Sequence, residues 1–249
     1  MNKLNDKVRI LNLDITKIRL NDLVDKIIKT VKSNEKKQLI YTPNSEIVVR
    51  AFDNEKFAEM YKRADILTPD GSGLLLASKI LDDPISERVA GFDLMVNLLE
   101  KIANQDISCY FIGGKEKIIE LAYKNIIKKY PNINIKGYHH GYLNNELEEK
   151  IVQDINNKEV DILFVGMGVP LQEKFFKKYF DQLDVKVGIT VGGSFDVLSG
   201  QVNRAPIIMQ KLYLEWFYRL LQEPKRWKRM LALPRFLYLV LKEKYFLSN

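Results

Sequence analysis

The stretch "LTPDGSG" (67–73) places a carboxylate, Asp70, between a short apolar run and a pattern typical of a helix. Pro69 restricts the backbone before Asp70, and the Gly-x-Gly turn that follows leaves the carboxylate exposed. A carboxylate held in this way can act as a general base if a substrate hydroxyl comes within hydrogen-bond reach. It can equally cap the following helix, which would lower its pKa and weaken it as a base. The residues alone leave both roles open.

Glycines or Thr-Pro dipeptides follow five apolar runs that are typical of strands. These turns read "YTPNSE", "LTPDGSG", "FIGGKEK", "VGMGVPLQE" and "VGGSFD". Glycine lets a ligand approach the backbone closely, and a helix N-terminus behind the turn offers N–H groups to a phosphate. One such turn alone is typical of an ordinary strand-to-helix connection. Five together favour a nucleotide or sugar-phosphate site, for which the candidate glycines are Gly113, Gly114, Gly168, Gly192 and Gly193.

Several common nucleotide-binding and catalytic signatures are missing from the sequence. It holds no G-x-G-x-x-G after the first predicted strand, no G-x-x-x-x-G-K-[ST] and no Asp-x-Asp. The missing Asp-x-Asp argues against a metal that clamps a nucleotide-sugar diphosphate, so we expect neither a metal site nor a cofactor. His139 and His140 point apart on an extended chain, which also disfavours a metal site. The single cysteine, Cys109, lies in an apolar run, which disfavours Cys–His catalysis.

Strand-like and helix-like segments alternate along most of the chain. We predict strands at 7–13, 38–42, 65–68, 107–114, 132–138, 160–168 and 186–193, and helices that include 45–63, 74–80, 145–157 and 171–183. This alternation predicts a Rossmann-like α/β fold with a mostly parallel sheet covered by helices. Ligands bind at the carboxyl ends of the strands in such sheets, which is where the five turns are expected to lie.

The length, hydrophobic fraction and charge distribution of the chain suit an α/β catalytic domain at 1–203 with a basic appendage at 204–249. The chain has 249 residues, of which 46% are hydrophobic. Residues 1–203 carry as many acidic as basic side chains, so the net charge of +7 resides in the appendage. The lone cysteine and the lack of an apolar leader or a long apolar span predict a cytoplasmic protein.

The appendage combines cations with a helical stripe of apolar residues. After Pro206, which can open a helix, Ile208, Leu212, Trp216 and Leu220 recur at every fourth position. The stretches "KRWKR" and "MLALPRFLYLVL" add cations and further apolar surface. We predict a helical unit that docks on the anionic inner face of the cell membrane. The alternative is an ordinary pair of helices packed on the body, and the neutral body argues against nucleic acid as a partner.

Seven ordered motifs resemble those of the WecG/TagA/CpsF glycosyltransferases, glycosyltransferase family 26. The motifs are "TPNSE" (42–46), "TPDGSGLLLASK" (68–79), "ERVAGFDL" (87–94), "FIGGKE" (111–116), "VGMGVPLQEKF" (165–175), "VGGSFDVLSGQVNRAP" (191–206) and "EWFYRLLQEPKRWKR" (215–229). The resemblance implies inverting transfer of N-acetylmannosamine from a UDP donor to N-acetylglucosamine on a polyprenyl diphosphate, an early step towards wall teichoic acid or another surface glycan. A uronic-acid donor, a non-catalytic nucleotide- or polyprenyl-phosphate-binding module, and a homo-oligomeric state stay open.

The resemblance also implies roles for particular residues. Asp70 becomes the base for the acceptor hydroxyl, with Thr42 beside it in the catalytic centre and Asn44 binding a sugar. Without a metal, the departing UDP needs cations or N–H groups. The expected amides are those of Gly113, Gly114, Gly192 and Gly193, and the expected contacts to uracil or ribose are Gln172 and Glu173. The expected cations are Arg88, Arg204, Arg219, Arg226 and Arg229, although Arg88 and Arg204 could equally be solvated surface charges.

Overall fold

The computed structural model describes residues 6–33, 35–211, 214–224 and 227–247. Its strands are β1 (Lys7–Ile10), β2 (Leu13–Thr16), β3 (Gln38–Tyr41), β4 (Ile66–Leu67), β5 (Ser108–Gly113), β6 (Asn134–His139), β7 (Ile162–Gly166) and β8 (Val187–Thr190). Its helices are α1 (Leu20–Lys32), α2 (Ser45–Asp53), α3 (Glu55–Lys62), α4 (Ser72–Ile80), α5 (Gly91–Ile102), α6 (Glu116–Lys129), α7 (Asn145–Asn157), α8 (Leu171–Tyr179), α9 (Ser194–Leu198), α10 (Ile207–Lys211), α11 (Glu215–Gln222), α12 (Trp227–Met230) and α13 (Ala232–Lys242). A π-helical turn, Glu243–Leu247, follows α13.

Strands β3 to β8 form one parallel sheet with the order β4-β3-β8-β7-β5-β6. Side chains of a strand alternate between faces, so Leu39 and Tyr41 enter one buried cluster while Ile40 enters the other. Helices cover both faces, which confirms the predicted α/β class with a parallel sheet. Because the strands are parallel, the turns after β3, β4, β5, β7 and β8 meet at one edge of the sheet.

Two predicted elements are interrupted by single residues. The predicted strand 7–13 is instead an antiparallel hairpin of β1 and β2, because Leu11 takes a positive φ of 54° in the turn between them. This hairpin is a separate two-stranded sheet. The predicted helix 45–63 is split at Asn54, whose side chain accepts the Phe57 N–H at 3.0 Å and so caps a second helix.

The last helix, α13, belongs to the core of the body. Its Phe236 and Val240 are fully buried, and Arg235 donates two hydrogen bonds of 2.6 Å to Asp53 on α2. Helix α13 therefore matches the alternative prediction of an ordinary helix packed on the body. A separable appendage at 204–249 is not confirmed. By contrast, α11 has no buried side chain. Among the described residues, no helix is both long enough and apolar enough to cross a bilayer.

Candidate active site

A cavity of about 290 Å³ lies where the carboxyl ends of β3, β4, β7 and β8 face helices α11 to α13. The strand turns form one wall, and residues of these C-terminal helices form the opposite wall. Most of the residues expected from the sequence line it, namely Thr42, Asn44, Asp70, Arg88, Gly168, Gln172, Gly192, Gly193, Arg204, Arg219 and Arg229. The position agrees with the expectation that ligands bind at the carboxyl edge of a parallel sheet.

Asp70 lies in the turn after β4, with its carboxylate held by a neighbouring helix. Carboxylate Oδ2 accepts the N–H of Gly91, the first residue of α5, at 3.2 Å. Helix α4 itself begins after Gly71, whose φ of +129° favours glycine, and has no side-chain cap. The suggested role of Asp70 as the cap of α4 is therefore wrong. Its carboxylate is fixed from α5 and lines the cavity.

The surroundings of Asp70 shift its pKa in the direction that a base needs. Burial raises the pKa of Asp70 to about 6. The hydrogen bond from Gly91 and the positive charges of Arg88 and Arg219 oppose this shift. The negative charge of Glu215 adds to it. The carboxylate is therefore more basic than an ordinary aspartate but still largely ionised at neutral pH.

Two arginines and two carboxylates form an ion-pair network on the cavity wall. Arg88 donates to Glu215 through a short hydrogen bond and to Asp93 at 3.4 Å. Arg204 pairs with Asp93 at 2.6 Å and with Glu215 at 3.4 Å, and its guanidinium lies 4.9 Å from the ring centroid of Phe92. Burial opposes the ionisation of Glu215, but the arginines outweigh it, so its pKa lies below the ordinary value. The arginines therefore keep the Glu215 carboxyl group ionised at neutral pH.

Thr42 and Asn44 fix the turn after β3. The Thr42 N–H donates to Thr190 Oγ1 at 3.2 Å, and the Thr42 hydroxyl donates to the carbonyl oxygen of Thr190 at 3.1 Å. Asn44 Oδ1 accepts the Ile47 N–H at 3.1 Å and caps α2. Capping uses only the amide oxygen, so the N–H donors of Asn44 can face a ligand. Both residues thus combine a structural contact with a place on the cavity wall.

Gln172 and Glu173 are neighbours with different positions. Gln172 lines the cavity, and its Oε1 accepts the Gly192 N–H at 3.2 Å. The expected role of the Gly192 amide as a phosphate donor is corrected, because this N–H is already bonded to Gln172. Glu173 is fully buried behind it, where Oε1 accepts the Tyr61 hydroxyl at 2.7 Å and Gln172 Nε2 at 2.9 Å. Burial raises the pKa of Glu173 despite these hydrogen bonds. The expected contact of Glu173 with uracil or ribose is therefore corrected: this carboxyl group orients Gln172.

Gly113 and Gly114 do not line the cavity. The Gly114 N–H donates to the carbonyl oxygen of Gly166 at 3.2 Å, and a Cβ on Gly113 would lie 2.4 Å from that same oxygen. These glycines allow the turns after β5 and β7 to pack closely. Their expected role as phosphate donors is corrected, because neither glycine lines the cavity and the Gly114 N–H is already bonded to Gly166.

The remaining expected residues lie on the C-terminal helices. Arg229 Nε donates to Glu46 Oε1 at 3.0 Å across the cavity wall. Arg219 lines the cavity, and no ion pair between described residues involves its guanidinium. Arg226 lies outside the described residues. The sequence analysis did not identify Glu215 as a site residue, because a single acidic residue in a basic segment has no chemical signature. The one signal for it was its position at the start of the motif "EWFYRLLQEPKRWKR".

No group of three or more His, Cys, Asp and Glu side chains is arranged to hold a metal ion within the ranges that the structure describes. His139 Nδ1 lies 3.0 Å from the carbonyl oxygen of His140, at the end of the edge strand β6. Buried Cys109 lies in β5. Independence of the reaction from metal stays a prediction that needs a direct measurement.

The fold is a Rossmann-like α/β fold, and its cavity places a carboxylate of raised pKa beside several arginines, an arrangement that suits anionic ligands. The chain belongs to the WecG/TagA/CpsF glycosyltransferase family, because the family model "Glycosyl transferase WecG/TagA/CpsF family" matches residues 8–249. The resemblance drawn from the seven motifs is thereby confirmed.

Curated relatives match over almost their full length, and each of the following is named N-acetylglucosaminyldiphosphoundecaprenol N-acetyl-beta-D-mannosaminyltransferase. The protein of Bacillus spizizenii is 35% identical over 232 residues, which cover 93% of this chain and 90% of the relative. That of Bacillus subtilis strain 168 is 34% identical, covering 94% and 90%. That of Staphylococcus aureus strain MW2 is 34% identical, covering 96% and 93%.

Proposed function

We propose that this chain transfers N-acetylmannosamine from a UDP-linked donor to N-acetylglucosamine on undecaprenyl diphosphate, with inversion at the anomeric carbon. This reaction is an early step in the synthesis of wall teichoic acid. The names of the relatives support the transferred sugar and the acceptor. The observation that carries the proposal is the Asp70 carboxylate, which lines the cavity at the carboxyl edge of the sheet with a raised pKa.

Asp70 acts as the general base of the transfer. Its carboxylate takes the proton from the acceptor hydroxyl while the hydroxyl oxygen forms a bond to the anomeric carbon of the donor. The bond between that carbon and the UDP oxygen breaks, and UDP leaves with the bonding electrons. The Gly91 N–H holds one carboxylate oxygen, which limits the orientations that the base can adopt.

Cationic side chains stabilise the departing UDP. Negative charge develops on the diphosphate as the sugar leaves, and positioned cations lower the energy of that transition state. Arg219 lines the same cavity as Asp70, and its charge acts on the Asp70 carboxylate. We assign Arg219 to the leaving diphosphate, in a reaction that needs no metal ion. Helix α11 thus supplies a part of the catalytic centre.

A coupled UDP-release assay tests the proposal. The purified protein is given UDP-N-acetylmannosamine and a short-chain lipid diphosphate that carries N-acetylglucosamine, and release that depends on the acceptor is expected. A parallel series with the uronic acid of the donor sugar decides between the two donors. Nucleotide binding without acceptor-dependent release would show a non-catalytic binding module and end the proposal.

A further inference from the structure

The two carboxylates that pair with Arg88 and Arg204 sit on elements of different character. Asp93 belongs to the first turn of α5, a helix with six buried residues. Glu215 is the first residue of α11, which has no buried side chain. Packing therefore holds Asp93 in place. Helix α11 is held largely by surface contacts, which include the ion pairs of Glu215 with Arg88 and Arg204.

The arginines of this network are suited to bind a phosphate group. Their side chains are only 15% and 30% exposed, so their charges are weakly screened. Guanidinium groups present several N–H donors in a plane that matches phosphate oxygens. With Glu215 in place, the two arginines and two carboxylates are neutral together. Without it, the cluster carries one positive charge on the wall of the cavity.

We infer that Arg88 and Arg204 form a binding site for a substrate diphosphate, and that the Glu215 carboxylate occupies this site until the diphosphate displaces it. The inference rests on the proposed function, which requires two diphosphate-bearing substrates. A diphosphate brings more charge and more acceptor oxygens than one carboxylate, so it competes well for the same donors. Asp93 stays in place during the exchange and keeps both guanidinium groups oriented.

Two substrates could supply the diphosphate, namely the nucleotide sugar and the lipid-linked acceptor. Both present the same phosphate chemistry to Arg88 and Arg204. The test therefore measures two ligands separately: UDP as the donor probe and farnesyl diphosphate as the acceptor probe. The ligand whose affinity responds to Glu215 is the one that occupies the site.

The test uses the full chain with Trp227→Phe, which leaves Trp216 as the only tryptophan beside Glu215. Dissociation constants come from Trp216 fluorescence and are repeated by calorimetry. We expect Glu215→Gln to tighten binding of one diphosphate by about 3–10-fold, because the internal competitor is removed. Glu215→Asp should give a smaller gain, since a shorter carboxylate reaches the arginines less well. Circular dichroism and thermal unfolding verify that each variant is folded.

Glu46→Gln is the matched control. Glu46 also lines the cavity and pairs with Arg229, so its substitution changes the cavity charge by the same amount and frees Arg229 instead of Arg88 or Arg204. Equal tightening in both variants would show that the effect is not specific to Arg88 and Arg204 and would overturn the inference. Unchanged or weaker binding in Glu215→Gln would also overturn it, while leaving the proposed function intact. Failure of the parent protein to bind either ligand would refute the proposed function itself.

Discussion

At the scale of single residues, Asp70 shows how a carboxylate can be both fixed and basic. Burial alone would raise its pKa further, but the Gly91 N–H and the charges of Arg88 and Arg219 hold the value at about 6. A general base is most effective when its pKa lies near the working pH. The same arginines that lower the pKa line the cavity beside the base, so one group of charges sets the basicity of Asp70 and the affinity of the site for anions.

We expect Asp70→Asn to lower turnover by about 10²–10⁴-fold in the UDP-release assay. Asparagine keeps an oxygen that accepts the Gly91 N–H but cannot take a proton. Because the native pKa of Asp70 lies above its unfolded value, ionisation costs stability as pH rises through the native pKa. The variant should therefore be more stable than the parent by about 1–3 kcal/mol near neutral pH, and the difference should shrink as pH falls towards the unfolded value.

Denaturant unfolding at two pH values measures this difference. The control is Asp14→Asn, because the Asp14 side chain on β2 is exposed. Near-parent turnover in Asp70→Asn would place the base elsewhere. A loss of stability at both pH values would indicate a mainly structural role for the carboxylate.

The pH dependence of the parent enzyme should report the pKa of Asp70. We expect kcat/KM to fall on the acidic side with an apparent pKa of about 6, because only the ionised carboxylate accepts a proton. Arg219→Gln removes a charge that lowers this pKa, so the acidic limb should move to higher pH. Glu215→Gln removes a charge that raises it, so the limb should move to lower pH. If neither substitution changes the apparent pKa of the acidic limb, the limb belongs to another group.

The residues of the site could be predicted from the sequence only where type and position agree. Asp70, Thr42 and Asn44 each lie at a Thr-Pro corner after an apolar run. Because the carboxyl ends of parallel strands lie at one edge of the sheet, these residues could be predicted to share a site. Glu173 also follows a strand end, at the "VGMGVP" turn, but residue type does not reveal that its helix turns the side chain inward against Tyr61. Glu215 reaches the site from a distant segment, which no local pattern encodes.

At the scale of elements, strand order decides which turns share the site. Alternating strands and helices predict a parallel sheet, yet the order β4-β3-β8-β7-β5-β6 depends on how each crossover packs. In this order β5 lies next to β7, and the two glycines after β5 pack near Gly166 at the end of β7 instead of lining the cavity. The single helix predicted at 45–63 is a similar case. The apolar spacing on both sides of Asn54 fits one helix, but the Asn54 side chain caps a second helix, α3.

Substitutions in the last helix, α13, test whether this element is part of the body of the protein. We expect Phe236→Ala to lower the free energy of unfolding by about 3–5 kcal/mol, because the ring is fully buried between the helix and the body. Tyr238→Ala is the matched control on the same helix, where the side chain is 64% exposed, and should change stability by less than about 0.5 kcal/mol. Chemical denaturation measures both. Equal, small effects would show that α13 is a detachable appendage after all.

At the scale of the whole molecule, charge and exposed apolar surface are concentrated in the same segment. The net charge of +7 comes from residues 204–249. Large apolar side chains are exposed along this segment, among them Ile207, Ile208, Trp216, Phe217, Leu221, Trp227, Leu231, Tyr238, Leu241 and Tyr245. The same helices close one side of the cavity. A surface of this composition suits contact with an anionic bilayer that carries the lipid-linked acceptor.

The charge of the cavity wall also predicts how the enzyme treats metal ions. Four arginines line the cavity, and two of its three carboxylates, Glu46 and Glu215, are paired with arginines. We expect EDTA to leave the UDP-release rate within about twofold of the untreated value, because guanidinium groups supply the charge stabilisation. The control is the same assay with added Mg²⁺ or Mn²⁺. Complete loss in EDTA with recovery on adding either ion would contradict this prediction.

Membrane docking is the prediction that belongs to the molecule as a whole. We expect the protein to bind phosphatidylglycerol vesicles more tightly than neutral vesicles, with binding weakened by salt. The double substitution Ile207→Ser and Ile208→Ser removes two exposed apolar side chains and should weaken vesicle binding by about tenfold or more. Tyr142→Ser is the control, since this side chain is 68% exposed but lies outside the basic segment.

The two acceptors separate docking from catalysis. With a long-chain acceptor in vesicles, transfer by the Ile207→Ser, Ile208→Ser variant should fall together with binding, because the enzyme reaches this acceptor only at the bilayer. With a short-chain acceptor in solution, the same variant should keep its turnover, because Asp70 and Arg219 are unchanged. Equal loss with both acceptors would show that the two isoleucines support the active site instead of the membrane surface. Unchanged vesicle binding would remove these residues from the docking surface.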